Sequence, residues 1–138
     1  MSSIAAVRAQ IAARLLATGA LARESTEPIE MIRSESHSPV HLEYAVGSPS
    51  QEYTARGKQS ITEIEIVIAY HLPPKDRVTG YDAMLAIERT VVASLQTSSW
   101  GSLNPRLASL IPVRSARQPG PDGWIWLVIT FSALHYTL

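Results

Sequence analysis

Cysteine is absent from the 138 residues, which excludes disulfides and thiolate-bound metals and leaves the compartment open. Net charge is absent as well, because 12 basic residues balance 12 acidic ones. That removes the overall positive field used in avid binding of DNA or membranes. Near-neutrality also favours defined self-association over solitary solubility. No segment is apolar over the length that a bilayer-spanning helix needs. Lysine is scarce, with only Lys58 and Lys75 against ten arginines. Missing too are the nucleophile elbow, the phosphate loop and the dinucleotide-binding glycine pattern, so no enzyme class is readable and the chain is expected not to be one. Four histidines are present, but His37 and His41 flank Pro39, which denies them one helical face. His71 and His135 fall on separate strands that could be neighbours. Metal ligation needs three or four convergent ligands, so neither a metal nor a cofactor is expected.

What is present describes an ordinary globular chain, 46% hydrophobic and 17% charged, expected to form a single α+β domain over residues 1–138. The opening MSSIAAVRAQIAARLLATGALA carries arginines and no acid. Arg8 and Arg14 interrupt the apolar run that a signal peptide requires. A transit peptide is the alternative to a first helix, and the helix is preferred. Ile4, Val7, Ile11 and Leu15 form its stripe, Ser2 or Ser3 caps its start, and Gly19 stops it, giving a helix from about Ser3 to Thr18.

PIEMI and VHLEYAV read as two short strands. GSPSQEYTARGKQS, rich in Gly, Ser, Pro and charge, reads as a long exposed loop at about 47–60. ITEIEIVIAYHL is the clearest strand, with Ile64, Ile66, Ile68, Tyr70 and Leu72 on one face and Glu63, Glu65 and His71 on the other. YDAMLAIERTVVASL is a second helix whose apolar face is interrupted only by Glu88, with Thr79 and Asp82 as a candidate capping box. RLASLIPVRSAR is a strand that Pro112 assigns to an edge or a bulge. QPGPDG is a turn, and a closing strand completes a hairpin. The fold class is therefore α+β: a four- to five-stranded antiparallel sheet, mixed if the early strands pair in parallel. The N-terminal helix and the helix before the C-terminal hairpin pack on it.

The closing run GWIWLVITFSALHYTL has two apolar faces. Ile125, Leu127, Ile129, Phe131 and Ala133 form one; Trp124, Trp126, Val128, Leu134 and Tyr136 form the other, relieved by Thr130 and Ser132. Extended at roughly 3.3 Å per residue, the run reaches on the order of 50 Å, beyond the ~37 Å diameter of a compact domain of this size. It either bends near Ser132 and Ala133 or overshoots its own domain. With both helices on one face, Trp124, Trp126, Val128, Leu134 and Tyr136 become a subunit interface. The alternative is an internal sandwich with one helix on each face.

Two smaller groups are candidates for contact. Tyr53, Arg56 and Lys58 share the long loop and suit docking onto a partner surface or nucleic acid. Glu63 and Glu65 share a strand face; an exposed pair is the plain expectation and a carboxylate-lined wall the functional one.

The order of segments resembles the tail terminator (tail completion) proteins of long-tailed bacteriophages. The likeness rests on the N-terminal helix, the strand ITEIEIVIAYHLPPKD, the helix GYDAMLAIERTVVASL and the hairpin RLASLIPVRSARQPGPDGWIWLVITFSALHYTL. It covers most of the chain, though not the stretch from Arg23 to Val40. The resemblance implies a structural virion protein, assembled in the host cytoplasm and located in the neck of the particle. It implies a homo-oligomeric ring, commonly of six subunits, that ends the tail tube and meets the head connector or head-closure protein, with the tail sheath as a further neighbour and DNA passing through the lumen without sequence-specific contact. Glu63 and Glu65 on the channel wall would repel phosphate. The alternatives are another head–tail joining or minor tail protein, a dimeric α+β ligand-binding domain outside phages, and a nucleic-acid binder, which the charge balance disfavours.

Overall fold

The computed structural model describes residues 3–32, 40–53, 59–96 and 107–136. In order the elements are α1 (Ser3–Ala17), β1 (Arg23–Glu24), α2 (Ile29–Ile32), β2 (Glu43–Tyr53), β3 (Gln59–His71), α3 (Arg77–Leu95), β4 (Leu107–Pro119) and β5 (Trp124–Tyr136). The strands form one open, mixed sheet in the order β1-β2-β3-β5-β4. β1 runs parallel to β2 and every other pairing is antiparallel. β3 and β4 therefore point the same way on either side of β5, and α3 is the crossover between them.

Both long helices lie on one face. Val7, Ile11 and Leu15 of α1 and Met84, Val91 and Leu95 of α3 are fully buried. They share a cluster with Ile64, Ile66 and Ile68 of β3 and Leu127, Ile129 and Phe131 of β5. The sandwich with one helix per face is thus overturned. One sheet face takes both apolar stripes and the other, among the described residues, keeps only the single turn of α2. Glu88, the misfit of the α3 pattern, forms an ion pair with Arg117 of β4 beside this layer.

The last strand does not overshoot. β3 accompanies it residue for residue, from His71↔Trp124 to Gln59↔Tyr136, and β4 is equally long at 13 residues. Three strands of 13 residues side by side span about 43 Å at roughly 3.3 Å per residue, somewhat more than the compact-sphere estimate.

Other expectations shift for identifiable reasons. PIEMI is not a strand: Pro28 presets a helical turn and Met31 N–H donates to the Pro28 carbonyl at 2.9 Å, leading into α2. The expected loop at 47–60 is strand as far as Tyr53 and again from Gln59, because β2 pairs with β3 across a bulge between Gly47 and Ser50; residues 54–58 lie outside the described set. Thr79 and Asp82 sit inside α3, which begins after Asp76 in the left-handed region without a side-chain cap. Gly19 has φ 71° and follows α1 as a left-handed stop. Pro112 lies on an edge strand and also at a bulge between Pro112 and Arg114.

Gly47 is where α2 touches the sheet. A Cβ there would lie 2.8 Å from Ile29 Cβ and closer still to Ile29 Cγ2, and Ile29 is itself buried. Gly47→Ala is expected to push α2 off β2 and destabilise the fold by about 1–3 kcal/mol, the range for overpacking. Chemical denaturation of the variant checks this; an unchanged midpoint would mean that Ile29 moves aside at no cost.

Candidate functional site

The face of the sheet away from α1 and α3 holds most of the candidate residues. Side chains alternate along a strand, so the pairings Ile61↔Leu134, Glu63↔Ser132, Glu65↔Thr130, Val67↔Val128, Ala69↔Trp126 and His71↔Trp124 place all of these on that face. The expected interface and the expected channel wall are therefore one surface. Its two halves differ.

The half near Trp124 is closed. Trp126 and Val128 are only 3% and 5% exposed, in a cluster with Ile29, Ala45, Val67 and Ala69. Trp124 stacks on Trp126 with ring centroids 6.2 Å apart and packs against that cluster. Small side chains at 45 and 69 leave room for the indole, and α2 supplies Ile29. Trp126 and Val128 thus contribute little new area to any partner, while Trp124 is half-buried.

At the end of this half, aromatic rings cluster around two histidines. His41 meets Tyr70 edge-on at 4.9 Å, and His71 lies 5.0 Å from Trp124. The His71 backbone N–H donates to His41 Nδ1 at 3.1 Å. That bond requires an unprotonated Nδ1. Partial burial, followed by the charge of His71, holds the His41 imidazole below its ordinary value of 6.5. The expectation that His71 neighbours His135 fails, because they occupy opposite ends and faces of the sheet. His135 is fully buried and shares a 2.7 Å hydrogen bond with Thr62. Among the described residues no group of three or more His, Cys, Asp or Glu is placed to hold a metal.

A depressed histidine pKa favours the neutral form in the fold. The associated stability is complete above about pH 6.5 and declines as pH falls through the lowered folded value. Thermal melts from about pH 8 to about pH 5 should therefore show a steeper fall for the native chain than for His41→Gln. Parallel profiles would show that His41 takes up its proton without resistance.

The other half of the face is open. Ile61 is 42% exposed, and on β4 Ile111 and Val113 are 59% and 56% exposed. They surround an ion pair between Arg114 and Glu63 at 3.1 Å. Ser50 donates a 2.9 Å hydrogen bond to the same carboxylate. Ile61, Val113, the ion pair, Ser50, Thr130 and Ser132 line a shallow groove of about 230 Å³, with Leu134 half-buried nearby. Glu63 is thus charge-compensated. Glu65 is 7% exposed, so it is not the solvated carboxylate its sequence position suggests.

Tyr53 ends β2 opposite Ser60, and Tyr136 ends β5 opposite Gln59; the side chains of both lie outside the description, as do Arg56 and Lys58 entirely. The sequence reading missed Ile61, Ile111, Val113 and Arg114. For Ile111 and Val113 the signal was available, as apolar residues on a strand that Pro112 assigns to an edge or a bulge.

The opposite edge of the sheet is acidic. Glu24, Glu27 and Glu30 are exposed around a cleft of about 400 Å³ whose floor includes Ile29, Ala45 and Gly47. Arg8 pairs with Glu24 at 2.6 Å. Beside it, Arg23 pairs with Glu43 at 3.0 Å, the latter's side chain 5% exposed. Burial pushes the Glu43 carboxyl up, but hydrogen bonds from Ser25 and Arg23, the Arg23 charge and the Val40 backbone outweigh it and hold the group below its usual range. Met31, 52% exposed, adds an apolar side chain here.

No protein-family profile and no curated protein sequence matches the chain. Among solved structures, it is similar in fold to a chain described as "Virion of native gene transfer agent (GTA) particle", with TM-score 0.67, 14% identity, and coverage of 97% of this chain and 98% of that one.

Proposed function

We propose that this chain is a structural subunit of a phage-like particle. In this reading copies close into a ring, commonly of six, that ends the tail tube and joins it to the head connector or head-closure protein. The tail sheath is a further neighbour in a contractile tail, and DNA crosses the lumen without being read. The role needs no catalysis.

The observation that carries the reading is the sheet face away from α1 and α3, with its half-open apolar patch. Exposed patches of this kind, centred on an arginine, mark contact surfaces. A near-full-length fold likeness to a chain of a gene transfer agent virion supports the particle context. Subunit contact, rather than the channel wall, belongs on this face, since Glu63 is paired and Glu65 buried. Tyr53, the last residue of β2, and Arg56 and Lys58, which follow it in the sequence, suit docking on the adjoining ring.

Mass photometry and negative-stain electron microscopy of the purified protein test the proposal. Rings with a central hole, of mass a multiple of 15.1 kDa, are expected. A chain that stays monomeric at micromolar concentration overturns it. Pull-down then assigns the position: retention by tail tube protein as well as by the connector side supports a terminator, and retention by the connector side alone makes it a different joining component.

A further inference from the structure

We propose that successive copies join head to tail, the β4 edge of one against the β1–α2 edge of the next. This deepens the ring reading and rests on it. A closed ring needs two different, mutually complementary surfaces on opposite sides of the subunit. The sheet supplies them: β1 and β4 are its two edges, separated by about 19 Å at ~4.8 Å per strand step.

Their chemistry is complementary. The β4 edge offers exposed Ile111 and Val113 followed by Arg114, whose side chain is 62% exposed beside its partner Glu63. The β1–α2 edge offers Met31 and a cleft with an apolar floor, rimmed by the exposed carboxylates of Glu27 and Glu30. Apolar side chains with a basic flank thus meet an apolar hollow with an acidic rim. Two acidic rims repel one another, whereas the exposed Arg114 guanidinium, already shared with Glu63, can take a further carboxylate, so unlike edges are favoured over like ones. This selects head-to-tail contact over a two-fold pair of identical patches.

The backbone of β4 points the same way. Pro112 and Pro119 remove amide donors, and bulges at Leu107/Ser109 and Pro112/Arg114 break the ladder. A strand so interrupted resists extension by another strand. Contact through its side chains remains, and the Pro112/Arg114 bulge is what inserts Val113 as an extra residue at the edge.

Two variants test the proposal together. Ile111→Asp/Val113→Asp disables the β4 edge; Glu27→Arg/Glu30→Arg disables the other. All four residues are exposed, and circular dichroism verifies that each variant folds. Should the β4 variant melt early, Ile61→Asp reads the same patch from β3. Each variant alone is expected as a monomer of 15.1 kDa. Mixed, they retain one intact edge apiece, so a species of twice that mass should appear and grow no further. Its dissociation constant should rise at least tenfold between about 0.05 M and about 0.5 M salt, as screening of rim charges requires.

Variants that still form rings beside a ring-forming native chain overturn the edge assignment while leaving the ring itself standing. Monomeric variants that do not combine on mixing overturn head-to-tail contact in favour of a two-fold one. A monomeric native chain overturns both.

Discussion

Phe131→Ala is expected to lower the free energy of unfolding by about 3–5 kcal/mol, the range for removing a large buried aromatic. The side chain is fully buried. It sits on β5 between Ile64 of β3 and Pro112 of β4, facing the layer formed by α1 and α3. It is the only phenylalanine in the chain, and it occupies a position where three long strands and the helix layer meet. Flanking strands of 13 residues hold the backbone in place, so the surroundings can collapse only partly into the space left behind. Against a typical total of about 5–15 kcal/mol, such a loss leaves a marginal fold. Denaturant titration at fixed protein concentration checks it, the concentration being held because assembly shifts apparent stability. A loss below about 1 kcal/mol would mean that the helix layer does not close over the centre of β5.

Periodicity made much of this architecture legible. The stripe Ile4–Val7–Ile11–Leu15 and the alternation Ile64–Ile66–Ile68–Tyr70 each report a single buried face, and the three described residues of the helical stripe beyond Ile4 are fully buried. Pro112 signalled an edge strand or a bulge, and β4 has both. Composition failed at β2, where Gly47, Ser48, Pro49 and Ser50 read as loop. Hydrogen bonding to β3, with a bulge to absorb the mismatch, outweighs weak strand propensity, and no local signal reports that a partner strand is waiting. α2 failed for the converse reason: one helical turn is too short to show a period.

The candidate site was legible as a face but not as a boundary on that face. Two apolar sides on the last strand pointed to the face that carries the exposed apolar patch. Which half is sealed depends on Ile29 crossing over Gly47 and on alanines at 45 and 69, and these are contacts between segments distant in sequence. Glu65 shows the same limit. Its alternation with isoleucines predicts a solvated carboxylate, yet at 7% exposure it is covered, because neighbouring strands rather than its own decide what reaches it. Likewise His71 finds His41 rather than His135, because the antiparallel register sets His71 opposite Trp124 and His135 opposite Ser60 at the far end.

Trp126→Ala separates a residue that holds its own chain together from one that holds two chains together. Trp126 is 3% exposed in a single copy, stacked under Trp124 and set among Ala45, Ala69 and Val128. Its loss is expected to cost about 3–5 kcal/mol in dilute monomer, with no partner present. Ile111→Asp should do the opposite, since Ile111 is 59% exposed: unfolding within about 0.5 kcal/mol of the native chain, as for most surface changes, and weakened assembly. Urea titrations below the assembly concentration, paired with mass photometry above it, give each variant two independent readings. If Trp126→Ala left monomer stability intact and reduced only assembly, the indole would be reaching a neighbour instead of its own sheet. The closed half of the face would then belong to the contact surface together with the open one.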